Sequence, residues 1–476
     1  MSNYKYVCVA NVIKEKILYG TYKAGAKLPS IVALSKELSV NAATIIRAYA
    51  LLESEHMIYS VPKSGYYVVK STDYVLDKPL LIDMLSVNPA SEINPYKDFY
   101  HCMEKAISLY EHKLFTYSPA KGMPELISIL RNHLTHSQVF AKEQDIFITT
   151  GAQQALFILS LLNFPNGHDT ILVEQPTYDV MLDIIRLNNI PVVGIQRTEN
   201  GLDLAELENI LSHNRVKFFY LMPRFQNPTG FSYSNKHKKE ILKLAKKYGV
   251  YIVEDDYLAD LELNQKNDPI FSFDNNDMVI YIRSFSKTLL PGLRLGMAII
   301  PKILQDEFLR RKNVIDLNSS VLSQGALEIY LRSSMYEAHI KRTKAFYKGK
   351  MDILSKECRR ELDGISNCFI PPTGIFAYIE VSNSNFLNHS QAFAHRKAGV
   401  WNKNQTTVSK IAISVESLIL KLEKSGLLAA STSRNYIDGI VHAEGVRLCV
   451  CKVCNESIPL AVQILKHELQ KSYPKT

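Results

Sequence analysis

Cysteine is scarce in this chain. There are seven in 476 residues: Cys8, Cys102, Cys358, Cys368, Cys449, Cys451 and Cys454. An odd, sparse set does not build a disulfide framework. Three of them crowd into "CVCKVC" at 449–454, but no second ligand pair stands at finger spacing. The stretch reads as small apolar residues on a strand, and no metal site is expected. Long apolar runs are missing too, since none approaches the roughly 18 residues a membrane span needs. The opening "MSNYKYVCVANVIKEKI" has no apolar signal core and no small-residue cleavage site. These absences predict a cytoplasmic protein with no membrane partner.

Acidic charge also falls short. The net charge is +9, with 46% apolar and 22% charged residues, an ordinary globular balance. At about 100–200 residues per domain, the length predicts two to four domains with real cores. The surplus is uneven. Residues 1–75 hold nine cationic side chains against five acidic ones. That favours a polyanionic partner for the front of the chain.

The front has helical periodicity. In residues 7–19, Val9, Val12, Ile13, Ile17 and Leu18 recur at helical spacing until Gly20 and Gly25 break the pattern. Ser30 can cap a short helix whose Ile31, Leu34 and Leu38 share a face. After a tight turn at Ser39–Val40, Asn41 can cap a second helix, with Ile45, Ala48, Tyr49 and Leu52 inward. Two short helices joined by a tight turn have helix-turn-helix geometry. "MIYSVPKSGYYVVK" then reads as strand, turn at Pro62–Gly65, strand. The plain alternative is a small helical adaptor with solvated charges.

The "LPS" at 28–30, "VNAATIIRAY" at 40–49 and "KSGYYV" at 63–68 resemble the winged-helix DNA-binding domain of the GntR family. The resemblance covers nearly all of 4–70. It implies double-stranded DNA as partner, with the second helix in the major groove. Ser30, Asn41, Thr44, Arg47, Lys63 and Ser64 would then face DNA. Their hydroxyls, amide and cations suit phosphates, and Arg47 or Asn41 can reach a base edge. The family usually has an arginine two residues after the "PS" serine. Val32 stands there, which implies one phosphate or base contact fewer.

Residues 71–80, "STDYVLDKPL", lack periodicity and read as a linker with a typical span under roughly 20 Å. From 81 to 476, apolar strands alternate with amphipathic helices: "DIFITT", "TILVEQ", "IPVVGI", "VKFFYLM", "VYIVED" and "MVIYIRS" are separated by helical patterns. This predicts a mainly parallel α/β sheet with helices on both faces, its large part about 125–310 and its small part about 345–476. Ligands in such sheets sit at the carboxyl ends of the strands. Gly151, Tyr178, Asn227, Asp255 and Lys287 stand there.

Together these residue types describe one site. The amine of Lys287 can condense with an aldehyde. Asp255, leaving a buried strand, can pair with a protonated ring nitrogen. Asn227 and Tyr257 can hydrogen-bond a phenolate oxygen. Gly151, Ala152 and Gln153 in "TTGAQQAL" open a helix whose amides suit a phosphate. Ser284, Ser286 and Arg294 serve the same dianion, and Tyr178 offers a face for stacking. The set suits pyridoxal 5'-phosphate. Each residue also has a bland reading: Asp255 and Asp256 as helix caps, Tyr178 as an interface aromatic, Asn227-Pro-Thr-Gly as a turn.

"TTGAQQAL", "QPTY", "MPRFQNPTG", "YIVEDDY", "RSFSKTLLPGLRLG" and "PPTGIFAYIEV" occur in that order, with 28 residues from Asn227 to Asp255 and 32 from Asp255 to Lys287. They closely resemble the fold-type I aminotransferases. The resemblance implies the cofactor as an internal aldimine on Lys287, and Arg447 in "GVRLCVCKV" as the clamp for a substrate α-carboxylate. The bland reading of Arg447 is a surface or subunit-contact residue. "FTYSPAKGMPELISIL" resembles the family's segment near its dimer interface, so a homodimer is implied, with Tyr117 reaching the neighbouring phosphate. Residues 383–413 depart from the family pattern.

A GntR-type winged helix followed by an aminotransferase-like body resembles the MocR subfamily of bacterial transcription regulators. That implies a DNA-binding regulator gated by an amino compound or by the cofactor. The alternatives are a working aminotransferase with a secondary front domain, a regulator that senses only the cofactor, and a DNA-binding protein that has lost it.

Overall fold

The computed structural model describes residues 5–18, 21–38, 40–62, 64–69, 81–264, 266–381, 414–437 and 444–472. Lys63, the linker at 71–80 and the atypical segment 383–413 lie outside the described residues. The chain forms two compact units, Met1–Leu81 and Ile82–Thr476.

The first unit holds α1 (Lys5–Leu18), α2 (Ile31–Glu37), α3 (Ala42–Ser54), β1 (Ile58–Val61) and β2 (Gly65–Val68). The strands form an antiparallel hairpin with Ile58 opposite Val68 and Val61 opposite Gly65. Val9, Ile13, Leu34, Ile45, Ala48, Tyr49 and Leu52 are buried together. Val12 is 40% exposed instead of inward. The stripe through Val9, Ile13 and Ile17 already fills the helical face, and Val12 lies one residue off it. Both expected caps are present: Ser30 Oγ accepts from the Ala33 amide at 3.2 Å and Asn41 Oδ1 from the Thr44 amide at 2.8 Å. Each satisfies an amide that the helix start leaves without a partner. Asn41→Ala is therefore expected to cost the first unit about 1 kcal/mol. Calorimetry of the full chain would read this as a lower melting transition for that unit, with Asn41→Asp restoring it.

The second unit starts with β3 (Ile82–Asp83), α4 (Tyr96–Tyr110) and α5 (Pro124–Thr135). Strands and helices then alternate through β4 (Ile146–Thr149), α6 (Ala152–Leu161), β5 (Thr170–Gln175), α7 (Asp179–Leu187), β6 (Val192–Gln196), α8 (Leu204–His213), β7 (Val216–Leu221), α9 (Asn235–Lys247) and β8 (Tyr251–Asp255). β9 (Val279–Ser284) and β10 (Gly296–Ile299) precede α10 (Lys302–Asp316), α11 (Val321–Arg332) and α12 (Met335–Leu362). The end of the unit holds β11 (Cys368–Phe369), β12 (Phe376–Glu380), α13 (Val415–Lys424), β13 (Leu427–Leu428), β14 (Ala430–Ser431), β15 (Gly445–Cys449) and α14 (Ile458–Ser472).

The central sheet runs β4-β10-β9-β8-β7-β5-β6. β9, β8, β7, β5 and β6 are parallel, and β10 is antiparallel to both β4 and β9. β7, β8 and β9 are buried along their whole length, which explains their unbroken apolar pattern. β10 was not anticipated, because four residues between a loop and a helix carry no readable period. A second sheet, β11-β12-β15-β14, is antiparallel. β3 pairs with β13, so the residues just after the linker join the C-terminal part.

The large part also begins before the expected residue 125. Phe99, Cys102 and Ala106 of α4 share a core with α5 and α11. The Tyr110 hydroxyl donates to Glu328 at 2.8 Å. Cys449 closes β15, and Cys449 and Cys451 are buried. Among the described residues, no helix is long and apolar enough to cross a membrane.

Candidate functional site

Beyond the carboxyl ends of the parallel strands lies a cavity of about 300 Å³. Its lining includes Gly151, Ala152, Gln153, Tyr178, Asn227, Asp255, Tyr257, Ser284, Ser286, Lys287, Arg294 and Arg447. The residues read from the sequence as ligands of this chain's own cofactor or of a carboxylate thus meet in one place, whereas Tyr117, read as reaching a neighbour's phosphate, is exposed and does not line the cavity.

Strand alternation sorts the run of three carboxylates at the end of β8, Glu254 and Asp255 in the strand and Asp256 directly after it. Glu254 is buried and accepts the Ile270 and Phe271 amides at 2.8 Å each. Asp256 pairs with Arg224 and accepts the Tyr281 hydroxyl at 2.7 Å. Asp255 between them lines the cavity. Its Oδ2 accepts the Tyr220 hydroxyl at 3.0 Å, while its buried Oδ1 has no partner. Burial pushes the Asp255 carboxyl up to about 7. An unpaired, desolvated acceptor is costly until a donor or a cation meets it.

Lys287 follows β9, and its Nζ lies 3.5 Å from the Val87 carbonyl. Burial lowers the pKa of its amine, which favours the neutral, nucleophilic form. Ser284 Oγ accepts the Ser286 amide at 3.2 Å, and Ser286 Oγ is buried with no partner. Arg294 reaches Gln153 Oε1 at 3.4 Å, and Gln153 in turn donates to the Tyr178 hydroxyl at 3.0 Å.

Gly151 caps α6 at φ +76°, and a Cβ there would lie 3.0 Å from the Arg294 guanidinium. Backbone conformation and close approach both call for glycine. The Gly151 amide donates to the Thr149 carbonyl at 2.9 Å. The amides left open for an anion are therefore those of Ala152 and Gln153 in the first turn, rather than that of Gly151.

Tyr257 lines the cavity, but its hydroxyl donates to the Phe225 carbonyl at 2.6 Å. A hydroxyl has one proton, so the phenolate-donor role expected of Tyr257 has none to give in this arrangement. Asn227 also lines the cavity. Its Oδ1 accepts from Arg447 at 3.2 Å, leaving the amide nitrogen to donate. The Arg447 guanidinium lies 4.7 Å over the Phe376 ring, with Nε buried and unpartnered. Val87, Asp179, Val180, Met222 and Phe376 also line the cavity and were not anticipated. Four of them are apolar, so residue chemistry alone gave no signal. Asp179 stands next to Tyr178 in "QPTYD" and could have been noticed there.

In the first unit, Ser30, Asn41 and Arg47 are exposed, and Thr44 and Ser64 are half-buried. The Thr44 hydroxyl is bound to Asn41 Oδ1 at 2.6 Å, and Ser64 Oγ lies 2.6 Å from the Tyr67 hydroxyl. Lys14 and Lys16 are paired with Glu55 and Glu37. Arg47 forms no ion pair among the described residues and stands on the outer face of α3. Val32 is 63% exposed.

Residues 5–68 match the family of bacterial regulatory proteins described as gntR. Residues 87–426 match aminotransferase class I and II. YcxD of Bacillus subtilis, an uncharacterized HTH-type transcriptional regulator, is 39% identical over 466 residues, 98% of this chain and 100% of its own. NorG of Staphylococcus aureus, an HTH-type transcriptional regulator, is 25% identical and covers 74% of this chain and 86% of its own. The fold is similar to the kynurenine aminotransferase of Pyrococcus horikoshii, with a TM-score of 0.72, 23% identity, and coverage of 84% of this chain and 93% of that one. With both matches in this order on a single chain, the protein belongs to the MocR-type family, a GntR helix-turn-helix unit followed by a class I and II aminotransferase-like unit.

Proposed function

We propose that this chain is a DNA-binding transcription regulator that takes pyridoxal phosphate on Lys287 and is gated by an amino compound or by the cofactor itself. It acts in the cytoplasm as a homodimer, a reading that the exposure of the large apolar side chains Tyr96, Tyr100, Phe115 and Tyr117 supports. The observation that carries the reading is Asp255, a buried carboxylate with one oxygen unpartnered, in the same cavity as a lysine whose charged form burial disfavours.

The residues fit the cofactor. Asp255 Oδ1 is the acceptor for a ring N–H. Ser286 Oγ, the Ala152 and Gln153 amides and Arg294 are donors for a phosphate dianion. Tyr178 offers a ring face, and Asn227 a donor for the ring oxygen. When bound, the cofactor supplies an aldehyde that takes an amine and a ring that withdraws electrons. Arg447 offers a bidentate fork to the carboxylate of an amino acid. A ligand shifts DNA affinity only through unequal affinity for the two states of the protein.

The test is binding of the purified chain to its own upstream DNA at fixed salt, without and with pyridoxal phosphate and an amino acid panel. Affinity is expected to change with the cofactor or with one amino acid. Arg47→Ala is expected to weaken specific binding by about tenfold or more, the scale of one base or phosphate contact. The second reading, a working aminotransferase, is favoured by the presence of Arg447 beside Asn227. Steady keto-acid release without specific DNA binding would establish it instead.

A further inference from the structure

Five formally charged side chains line the cavity: Lys287, Arg294, Arg447, Asp255 and Asp179. The proposed function, on which this inference rests, gives a partner to four of them. The cofactor takes Lys287, its phosphate takes Arg294, its ring nitrogen takes Asp255, and an α-carboxylate takes Arg447. Asp179 is left over.

Asp179 opens α7 directly after Tyr178, the residue that offers its ring face to the cavity. Among the described residues it enters no ion pair and no side-chain hydrogen bond. Asp183, one turn further along the helix, is by contrast matched by Arg186 and Arg434. A carboxylate at a helix start is favourable by itself. That accounts for an acid at this position but not for its place on a ligand cavity without a counter-charge. Val180 and Met222 line the same cavity and suit an aliphatic stem. A half-buried, unmatched carboxylate there selects for a cation and against an anion, because like charges brought together in a partly desolvated site repel.

We propose that the gating ligand is a diamino acid. Its α-carboxylate lies on Arg447, its α-amine is directed to the cofactor, and its distal ammonium is held by Asp179.

The test uses the full chain loaded with pyridoxal phosphate. Cofactor absorption is followed while L-lysine, L-ornithine, L-norleucine, L-norvaline or L-glutamate is added, with melting temperature as a second readout. L-lysine or L-ornithine is expected to bind about tenfold or more tightly than the uncharged analogue of its length, the scale of one charge-assisted contact. Asp179→Asn should abolish that preference and leave norleucine binding unchanged. Norleucine or glutamate binding as tightly as the diamino acids overturns the proposal. So does a preference that survives Asp179→Asn. A chain that takes up the cofactor but responds to none of these amino acids also overturns it and leaves the cofactor reading standing. A chain that takes up no pyridoxal phosphate overturns both.

Discussion

Lys287→Ala protein is expected to emerge colourless from dialysis against cofactor-free buffer, while the unaltered chain stays yellow. The remaining contacts to phosphate and ring are non-covalent, so loss of the cofactor should accelerate by about a hundredfold or more, the change falling mainly in the off-rate. Lys287→Arg serves as the control. It keeps a positive charge, but a guanidinium stays protonated and does not condense with an aldehyde. Both variants should therefore lose colour, whereas a purely electrostatic role would leave the arginine variant yellow. Burial lowers the pKa of the Lys287 amine, so the neutral amine needed for condensation is available nearer neutral pH than on an exposed lysine. Retention of colour at the unaltered level in Lys287→Ala would refute the assignment. Any effect of cofactor on DNA affinity is expected to disappear with the colour.

The second large effect is expected at Asp255, in the cofactor-free chain. Burial raises its carboxyl from the ordinary 3.8 to about 7, with Asp256 adding to the rise and the Tyr220 hydroxyl opposing it. An acid whose pKa is raised by folding favours the folded state only while it is protonated. Its contribution is complete below about pH 4 and is lost as pH climbs through about 7. A shift of about three pH units corresponds to an upper bound of about 4 kcal/mol. Asp255→Asn removes this titration. Urea unfolding of the cofactor-free chains at pH 6 and pH 8 should show the unaltered chain losing more stability over that interval than the variant. Burial holds His133 down to about 4, an opposite sign, so its stabilising contribution is lost only as pH falls. Comparing the two chains cancels it. With pyridoxal phosphate present, a ring cation facing Oδ1 stabilises the charged carboxylate, and the pH dependence of the unaltered chain should flatten. Equal slopes in the two cofactor-free chains would mean that Asp255 does not titrate as its burial requires.

Much of this was legible in the chain itself. Helical spacing and two capping residues give the first unit, and both caps make their expected bonds. Unbroken apolar runs give the strands of a parallel sheet. Within the central sheet β10 escaped, since its four residues follow a loop of Pro, Gly and Arg, and the two-residue strands elsewhere are too short to show a period. Most of the cavity residues were legible because they sit at or just past a strand end, where a parallel sheet presents its side chains to a ligand; Arg447, inside β15 of the antiparallel sheet, was read from the family resemblance instead.

What sequence determined is therefore residue type and order: a helix-turn-helix unit, then a sheet whose strand ends and following loops bring a lysine, an aspartate, an asparagine and an arginine to one side, with Arg447 joining them from a second sheet. Tertiary structure decided which atoms remain available. Tyr220 occupies one oxygen of Asp255 from 35 residues away and leaves the other open. Arg447 reaches Asn227 across 220 residues and takes its side-chain oxygen, which leaves the amide nitrogen to donate. The Phe225 carbonyl accepts from the Tyr257 hydroxyl, and the Thr149 carbonyl accepts from the Gly151 amide. Asp179 looks like an ordinary first-turn acid until the fold places it on the cavity wall without a counter-charge. Hydrogen bonds saturate: a donor with one proton serves one acceptor. Their partners come from distant elements, so their allocation is settled only when the chain has folded.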